Sequence, residues 1–214
     1  MIGIIGGTGP QGRGLAYRLA RAGVDVLIGS RDPERGMAAA EEVRRLVGDD
    51  VSVQGAGNAD LPGRADMLLV TVPYEGLAST LRPLAEQVGD MIVMSAVNKL
   101  SFAGGPQALP VEAGSSAEEV ARLLPAARVT TAFNNVSATH LRNAEHVFDE
   151  DVLVCGDDDD AVKRTVEVAS RVDGLRGVSC GPLRLAFTIE AMTAVVISVN
   201  ATHGVTAGLR ITGL

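Results

Sequence analysis

The sequence has few aromatic residues and no surplus of positive charge. It contains no tryptophan, and aromatic residues are 3% of the 214 residues, so the stacking platforms that bind single-stranded nucleic acids are missing. Lys and Arg number 19 against 26 Asp and Glu, for a net charge of -7. Binding to phosphates or to an anionic membrane needs a surplus of Lys and Arg. We therefore predict neither a nucleic-acid partner nor a membrane partner.

Cysteine is also scarce. Cys155 and Cys180 lie 25 positions apart, a spacing that suggests neither a metal site nor a disulfide framework. We expect both to be small buried apolar residues. The first residues, MIGIIGGTGP, contain no basic stretch of the kind that opens a secretory signal. We therefore expect a cytoplasmic protein.

Aliphatic residues and 25 glycines make up much of the chain, and its length suits one domain with at most a modest appendage. Apolar runs of strand length alternate with helical segments, which is typical of a parallel sheet wound with helices. The predicted strands are 2–5, 24–29, 51–53, 67–72, 91–95, 129–133, 151–155 and 178–181. The predicted helices are 10–22, 32–48, 74–88, 115–124 and 183–202, and residues 99–114 form a long loop. This pattern predicts the α/β class: a Rossmann-type, doubly wound parallel sheet with a small C-terminal helical part.

The last predicted helix is almost uncharged. Between residues 185 and 208 the only charged side chain is Glu190, yet the segment contains six Ser, Thr or Asn residues, too many for a typical membrane span. A helix buried in the core or in a dimer interface is the better interpretation. The apolar face with Ile189, Met192 and Val196 favours a symmetric homodimer, and burial within one chain is the alternative.

Four consecutive aspartates occupy residues 157–160. Successive residues of a helix point in different directions, so these carboxylates cannot converge on one ion. Acidic residues at the start of a helix interact favourably with its dipole, and we interpret the run in this way. We predict no metal site.

The strongest local motif is Gly7-Thr8-Gly9-Pro10-Gln11-Gly12, which fits G-x-G-x-x-G between a strand and a helix. Gly7 permits a tight turn, Gly9 lets the backbone approach a pyrophosphate, and Gly12 lets the helix pack closely on the strand. The N-terminus of the following helix then faces the position that an anion would occupy. The motif predicts a dinucleotide site.

The end of the second strand indicates which dinucleotide binds. NAD-binding domains place an acidic residue there for the ribose hydroxyls, whereas this chain has Ser30 and Arg31, with Arg35 four residues later. A hydroxyl and two guanidinium groups can bind a 2′-phosphate. Asp32 is the counter-argument, and we assign it to the N-cap of the next helix. We predict NADP rather than NAD.

The sequence shows no obvious acid–base pair. Tyr17, His140, His146 and His203 are expected to be structural, and the sequence gives His146 and His203 no near partner. Lys99 and Tyr74 are the exceptions, because both follow the carboxyl ends of strands. Hydride transfer between two cofactors needs stacking, orientation and exclusion of water rather than a proton donor. We therefore predict no catalytic side chain.

Several segments together resemble one family over nearly the whole chain. The runs GGTGPQGRGLAYRLA, IGSR, TVPYE, VLVCGDDDD and VDGLRGVSCGPL are similar to the F420-dependent NADP oxidoreductases. The resemblance implies a cytoplasmic homodimer that moves hydride reversibly between NADP(H) and the deazaflavin coenzyme F420. It also implies an NADP-binding Rossmann domain over residues 1–150, with residues 151–214 completing the fold and the deazaflavin site and supplying the dimer contact.

The resemblance also implies roles for single residues. It places Thr8, Gly9, Pro10 and Gln11 on the pyrophosphate and Ser30, Arg31 and Arg35 on the 2′-phosphate. It places Val72, Pro73 and Tyr74 along the cofactor, Leu100 and Ala138 beside the nicotinamide, and Asn134 and Val136 in the segment where the deazaflavin stacks. Asn134, where a family member can carry histidine, can hydrogen-bond a ring carbonyl but cannot titrate.

Two other functions are compatible with the same fold. One is NADPH-dependent reduction of an imine, a quinone or a metal centre, as in the related domain of the STEAP metalloreductases, and dependence on a proton donor such as Lys99 would favour it. The other is a non-catalytic module that senses NADP and signals to a partner, because one fold hosts many functions.

Overall fold

A single large sheet organises the chain. The computed structural model describes residues 1–48 and 50–214. In chain order the strands are β1 (Ile2–Ile5), β2 (Val26–Ser30), β3 (Val53–Gly57), β4 (Met67–Val70), β5 (Ile92–Ser95), β6 (Leu100–Ser101), β7 (Gln107–Ala108), β8 (Arg128–Thr131), β9 (Glu150–Gly156) and β10 (Leu175–Gly181). Eight of them form the sheet, in the order β3-β2-β1-β4-β5-β8-β9-β10.

The strand directions confirm the predicted fold class and add one feature. The six strands from β3 to β8 in the sheet order are parallel to one another, whereas β9 pairs antiparallel with β8, and β10 pairs parallel with β9. The sheet is therefore mostly parallel, with its last two strands reversed. The chain runs outward from β1 to β3 and resumes on the other side at β4. Ligands of such sheets bind where the strand order reverses, beyond the carboxyl ends of the strands.

The helices cover both faces of the sheet. They are α1 (Pro10–Arg21), α2 (Pro33–Val47), α3 (Leu77–Leu81), α4 (Ala85–Val88), α5 (Ser116–Leu123), α6 (Ala138–Arg142), α7 (Asp159–Arg171) and α8 (Ala186–His203). Side chains at the N-caps accept backbone N–H groups: Asp32 from Glu34, and Asp158 from Ala161. This confirms Asp32 as an N-cap and the aspartate run as the start of a helix.

Several predicted elements differ from the structure. Strand β10 begins at Leu175 rather than at residue 178, and α6 was not predicted. The strand predicted at 51–53 begins at Val53 and continues to Gly57. The helix predicted at 74–88 is divided into α3 and α4 by a 3₁₀ turn at Arg82–Leu84, because Pro83 has no N–H to donate. Residues 99–114, predicted as a loop, contain the short antiparallel pair β6 and β7.

Two apolar clusters form the core, one on each face of the sheet. Neighbouring residues of one strand point to opposite faces, so Ile4 belongs to one cluster and Ile5 to the other, as do Leu69 and Leu68 on β4. All four side chains are fully buried. A strand that is buried on both faces is a continuous apolar run, which is why these strands could be identified from the sequence.

Helix α8 is buried on one side only. Ile189 and Val196 are buried, whereas Val195 is 62% exposed. The Glu190 carboxylate is also buried, and it accepts the N–H groups of Ser116 and Ala117 at 2.9 and 3.0 Å, which caps α5. The segment Leu183–His203 is long and apolar enough to cross a membrane by length and composition alone. These contacts with α5 tie it to the folded domain.

Candidate functional site

The turn between β1 and α1 is closed on one side and open on the other. A Cβ atom on Gly12 would lie 2.5 Å from the Cα of Gly7, so the turn packs directly against the helix. At Gly9 the nearest heavy atom to such a Cβ is the carbonyl oxygen of Gly6, at 3.9 Å. The backbone at Gly9 is therefore free to be approached by a ligand. Helix α1 begins at Pro10, and its first N–H groups have no partner within the helix.

Gln11 joins this turn to the loop that follows β8. Its Nε2 atom donates to the carbonyl oxygens of Phe133 and Val136, at 3.2 and 3.3 Å. Phe133 is fully buried and has a φ of 63°, in the left-handed region that non-glycine residues rarely adopt. The loop after β8 therefore turns sharply, and Gln11 holds it against the glycine-rich turn.

The end of β2 presents the residues predicted to select the dinucleotide. Ser30 is buried, and its hydroxyl accepts the N–H of Asp32 at 3.3 Å. Arg31 and Arg35 are exposed on either side of the start of α2. Asp32 is occupied as the N-cap of that helix. Two cations and a hydroxyl thus flank one helix start, which suits a phosphate monoester.

The segment after β4 lies beside the same turn. A Cβ on Gly6 would lie 2.4 Å from Cγ1 of Val72, so the two loops are in direct contact. Pro73 is exposed, and the partly buried Tyr74 ring has the Lys99 Nζ atom 4.6 Å from its centroid. Burial raises the pKa of Tyr74. Leu100, in β6, is partly buried.

Asn134 has every polar atom of its side chain in a hydrogen bond within the chain. Its Oδ1 accepts from the hydroxyl of Thr131 at 2.7 Å, and its Nδ2 donates to the carbonyl oxygen of Val97 and to Oδ1 of Asn98, both at 3.2 Å. The residue is 4% exposed. The side chain therefore fixes the loops after β5 and β8.

A cavity of about 360 Å³ opens between these loops and α8. Four of the predicted site residues line it: Gln11, Asn134, Val136 and Ala138. The other lining residues are Ala96, Asn98, Asn135, Ser137, Thr193, Val196, Ile197, Asn200 and Ala207. All of these side chains are apolar, hydroxyl or amide groups, and none titrates near neutral pH. The remaining predicted residues lie along the same edge of the sheet, at the ends of β1, β2 and β4 and in β6.

The prediction assigned residues 151–214 to the deazaflavin site but did not name the individual residues of α8 that line this cavity. Thr193 accepts from the side chain of Asn98 and donates to the carbonyl oxygen of Asn134, at 3.3 and 3.0 Å. Asn200 accepts the N–H of Ala207 through its side chain. Thr193 and Asn200 are seven residues apart, so they lie on one face of the helix. Two polar residues at this spacing in an apolar helix are the signal that could have identified them.

We expected His146 to have no partner nearby, and this expectation was wrong. The rings of His146 and His140 stack with their centroids 3.6 Å apart, and Glu150 lies beside both. The pair was hidden because residues 143–149 form an irregular segment, for which sequence spacing gives no direction.

The burial expected of the two cysteines is confirmed for Cys155 only, and their spacing in the sequence did not indicate that they lie side by side. Cys155 on β9 pairs with Gly181 on β10, and the irregularity between Ser179 and Gly181 brings Cys180 beside it. Cys155 is fully buried, whereas Cys180 is only partly buried. The Cys180 thiol donates to the carbonyl oxygen of Val178 at 3.4 Å, and the interaction between the two neighbouring free thiols raises the pKa of Cys155 and lowers that of Cys180 to about 7.

Comparison with known proteins gives consistent results. The profile of the family described as NADP oxidoreductase, coenzyme F420-dependent, matches residues 1–99. The chain is 41% identical to the F420-dependent NADP reductase of Methanothermobacter thermautotrophicus, over all of this chain and 95% of that protein. It is 36% identical to the enzyme of the same name from Methanocaldococcus jannaschii, over all of this chain and 98% of that one.

A solved structure extends this similarity to three dimensions. The protein from Arthrobacter sp. FB24, described as an F420-dependent NADP reductase, superposes with a TM-score of 0.82. It is 25% identical, and the match covers 99% of this chain and 98% of that one.

Proposed function

The chain belongs to the family of F420-dependent NADP reductases, and we propose that it transfers hydride reversibly between NADP(H) and coenzyme F420 within the cavity beside α8. The absence of titratable side chains among the described residues that line this cavity supports the proposal best. Reduction of a carbonyl or an imine needs a proton donor at the reacting atoms. Hydride passes directly between the nicotinamide and a ring carbon of the deazaflavin, and the proton that completes the reduced deazaflavin is taken up from solvent at a ring nitrogen, away from the carbon that receives the hydride.

The residues at the edge of the sheet fit an NADP molecule. The backbone at Gly9 is open on the side that a pyrophosphate would approach, and α1 begins there. We assign Gly7, Thr8, Gly9, Pro10, Gln11 and Gly12 to the pyrophosphate turn. Ser30, Arg31 and Arg35 are assigned to the 2′-phosphate, because a hydroxyl and two exposed cations surround one position. Val72, Pro73 and Tyr74 then lie along the cofactor.

The cavity residues are assigned to the two rings. Leu100 and Ala138 flank the nicotinamide, and Val136 lies where the deazaflavin stacks. Asn134 positions the loops after β5 and β8 and does not itself bind the deazaflavin ring, because its polar side-chain atoms are already hydrogen-bonded within the chain. Gln11 and Asn134 hold the walls of the cavity in place, so that the rings meet in one orientation and water is excluded.

Residues 1–150 are proposed to bind NADP, and residues 151–214 to complete the fold and the deazaflavin site. Support comes from α8, whose Thr193, Val196, Ile197 and Asn200 form one side of the cavity. The loops after β5 and β8 form the opposite side. Neither part encloses the cavity alone.

A cytoplasmic homodimer with no membrane partner is the proposed assembly. An apolar stripe is exposed along α8. It consists of Phe187, Val195 and Val199, and successive members are eight and four residues apart. A second copy of the chain can bury such a stripe symmetrically. The other side of α8 packs on the folded domain, which disfavours a membrane span. Two adjacent cysteines that are both free suit a reducing compartment.

The reaction is tested by mixing the purified chain with NADPH and oxidised F420 and following the loss of the visible absorbance of the deazaflavin, beside an NADH control. We expect fast bleaching with NADPH and little with NADH. Val196→Phe should fill part of the cavity and slow the reaction, whereas Val205→Phe, in the exposed tail, should not. Binding of NADPH without any bleaching would overturn the proposal and favour another hydride acceptor or a sensing role.

A further inference from the structure

We propose that His140, His146 and Glu150 form a binding site for one divalent transition-metal ion of the zinc type, separate from the cavity that serves hydride transfer. His140 is on α6, Glu150 begins β9, and His146 lies on the segment between them. Two imidazoles and one carboxylate are a common ligand set for Zn²⁺ in proteins, with water in the remaining position.

The distances within the cluster are close to those that a metal ion requires. The Nδ1 atom of His140 lies 3.8 Å from Oε1 of Glu150, and the Nε2 atom of His146 lies 4.0 Å from the same oxygen. All three ligand atoms lie within 4.8 Å of one another. Tetrahedral Zn²⁺, with bonds of about 2.0–2.1 Å, holds its ligand atoms roughly 3.3 Å apart. The two rings would have to rotate out of their stacked arrangement on binding, because lone pairs in nearly parallel ring planes do not converge on one ion.

The polar atoms of the cluster are buried without partners. Glu150 is only 6% exposed, and its Oε2 atom forms no hydrogen bond with any described residue. The same is true of Nδ1 of His140 and Nε2 of His146. Buried polar atoms without partners are costly, and three in one cluster need an explanation. A cation held between the two ring nitrogens and Oε1 of the carboxylate would give both rings a partner.

Neighbouring residues fix the positions of the three side chains of the cluster. The Arg18 guanidinium donates to the carbonyl oxygens of His140 and His146 at 2.9 and 3.0 Å, which fixes the segment that carries both rings. The backbone of Gly208 covers the carboxylate, since a Cβ there would lie 2.1 Å from Cδ of Glu150.

His146 also lines a cavity of about 310 Å³ that is separate from the one beside α8. Arg18, Arg21 and Arg171 line the same cavity beside Asp173, and their positive charge opposes a divalent cation and should keep the affinity below that of a dedicated zinc finger. The ion would tie α6, which begins at Ala138 beside the hydride-transfer cavity, to the start of β9.

The test uses the full chain without an affinity tag, stripped of metal with a chelator and then desalted. Zn²⁺ is titrated by calorimetry, and Co²⁺ by its visible absorption, which reports tetrahedral coordination. The background is Cys180→Ser, so that the thiols beside β10 do not compete for the ion. We expect one ion per chain, and a rise in Tm of about 5 °C or more at 100 times the Kd.

Matched variants decide whether these three residues are the ligands. His146→Ala and Glu150→Gln should each weaken Zn²⁺ binding by at least about 10-fold. His203→Ala, the same change at an exposed position at the end of α8, should leave binding unchanged. His146 is partly exposed, so its variant should fold even if Glu150→Gln does not. Absence of one-to-one binding, or equal affinity in parent and His146→Ala, would overturn the proposal, as would binding that requires the cysteines.

Discussion

The side-chain Nδ2 of Asn134 donates to Oδ1 of Asn98 at 3.2 Å and so links the loops that follow the neighbouring strands β8 and β5. Asn98 in turn donates to the backbone carbonyl of Asn134 at 2.9 Å and to the hydroxyl of Thr193 on α8 at 3.3 Å. Three separate parts of the chain therefore meet at one polar network. This network sets the width of the cavity into which two planar cofactors would have to fit.

Replacement of Asn134 by alanine should both destabilise the protein and loosen the cavity. The change leaves the Val97 carbonyl and Oδ1 of Asn98 without their donor, at a cost of about 1–3 kcal/mol for each buried group, whereas the Thr131 hydroxyl keeps its bond to the carbonyl oxygen of Ser95. We expect the free energy of unfolding, measured with urea, to fall by about 2–4 kcal/mol, and the KM for F420 to rise. Ser79→Ala, a surface change, is the control. An unchanged unfolding midpoint would contradict the proposed network.

Arg31→Ala should reduce the preference for NADPH without affecting NADH. A guanidinium bound to a phosphate contributes about 1.5–3 kcal/mol, which corresponds to roughly a 10- to 100-fold weaker Kd for NADPH. Both Kd values can be measured by fluorescence of the reduced nicotinamide. Arg45→Ala, at the far end of α2 and paired with Glu41, should change neither value. Equal loss of NADPH and NADH affinity would place Arg31 elsewhere than at the 2′-phosphate.

The fold was predictable because the apolar runs in the sequence coincide with the buried strands β1, β2 and β4. Their apolar runs, the glycine turn and the cap at Asp32 each identify an element without reference to the rest of the chain. The inner wall of the cavity was not predictable in this way. Its Asn98–Thr193 bond joins residues 95 positions apart, and the pairing of Cys155 with Cys180 depends on the order of β9 and β10 and on an irregularity in their register. Such contacts arise from topology, which spacing along the sequence does not report.

Cys180 should be the reactive cysteine, and Cys155 should be inert. The neighbouring thiol of Cys155 lowers the pKa of Cys180 to about 7, so the thiolate fraction of Cys180 increases as the pH rises through neutrality. Alkylation by iodoacetamide should accelerate by about 5-fold between pH 6 and 7 and level off above pH 8. Mass spectrometry of peptides measures each site, and Cys155→Ser should return Cys180 towards ordinary thiol behaviour. Modification of Cys155 first would contradict the assignment.

Asp151 should make stability depend on pH in the acid range. Two guanidinium N–H groups of Arg176 and the N–H of Ile211 donate to its buried carboxylate, which lowers its pKa below the ordinary value of 3.8. The carboxylate therefore stabilises the fold at pH values above 3.8, and this contribution is lost as the pH falls through the lower folded-state pKa.

The change Asp151→Asn tests this dependence. At pH 7 the free energy of unfolding should fall by about 2–3 kcal/mol, because the asparagine N–H₂ group faces the guanidinium of Arg176. The difference from the parent should shrink as the pH falls from 4 towards 2. Asp149→Asn, at an exposed residue paired with Arg210, should cost at most about 0.5 kcal/mol. A constant difference across the whole pH range would rule out ionisation of Asp151 as the cause.

The exposed stripe on α8 predicts how the proposed homodimer can be separated. Val195 is 62% exposed in the single chain, and Phe187 and Val199 extend the same surface by two turns on one side and one on the other. If a second copy covers this stripe, Val195→Glu places a charge in an apolar contact that provides no partner, and the dimer Kd should weaken by about 100-fold or more. Sedimentation at micromolar concentration should then give a dimer for the parent and a monomer for the variant. Met37→Glu introduces the same charge at an exposed apolar residue on α2 and should remain dimeric. Val195 does not line the cavity, so a monomeric variant that still binds NADPH would show that the apolar stripe serves assembly. A parent protein that is monomeric at this concentration would remove the dimer from the proposed function.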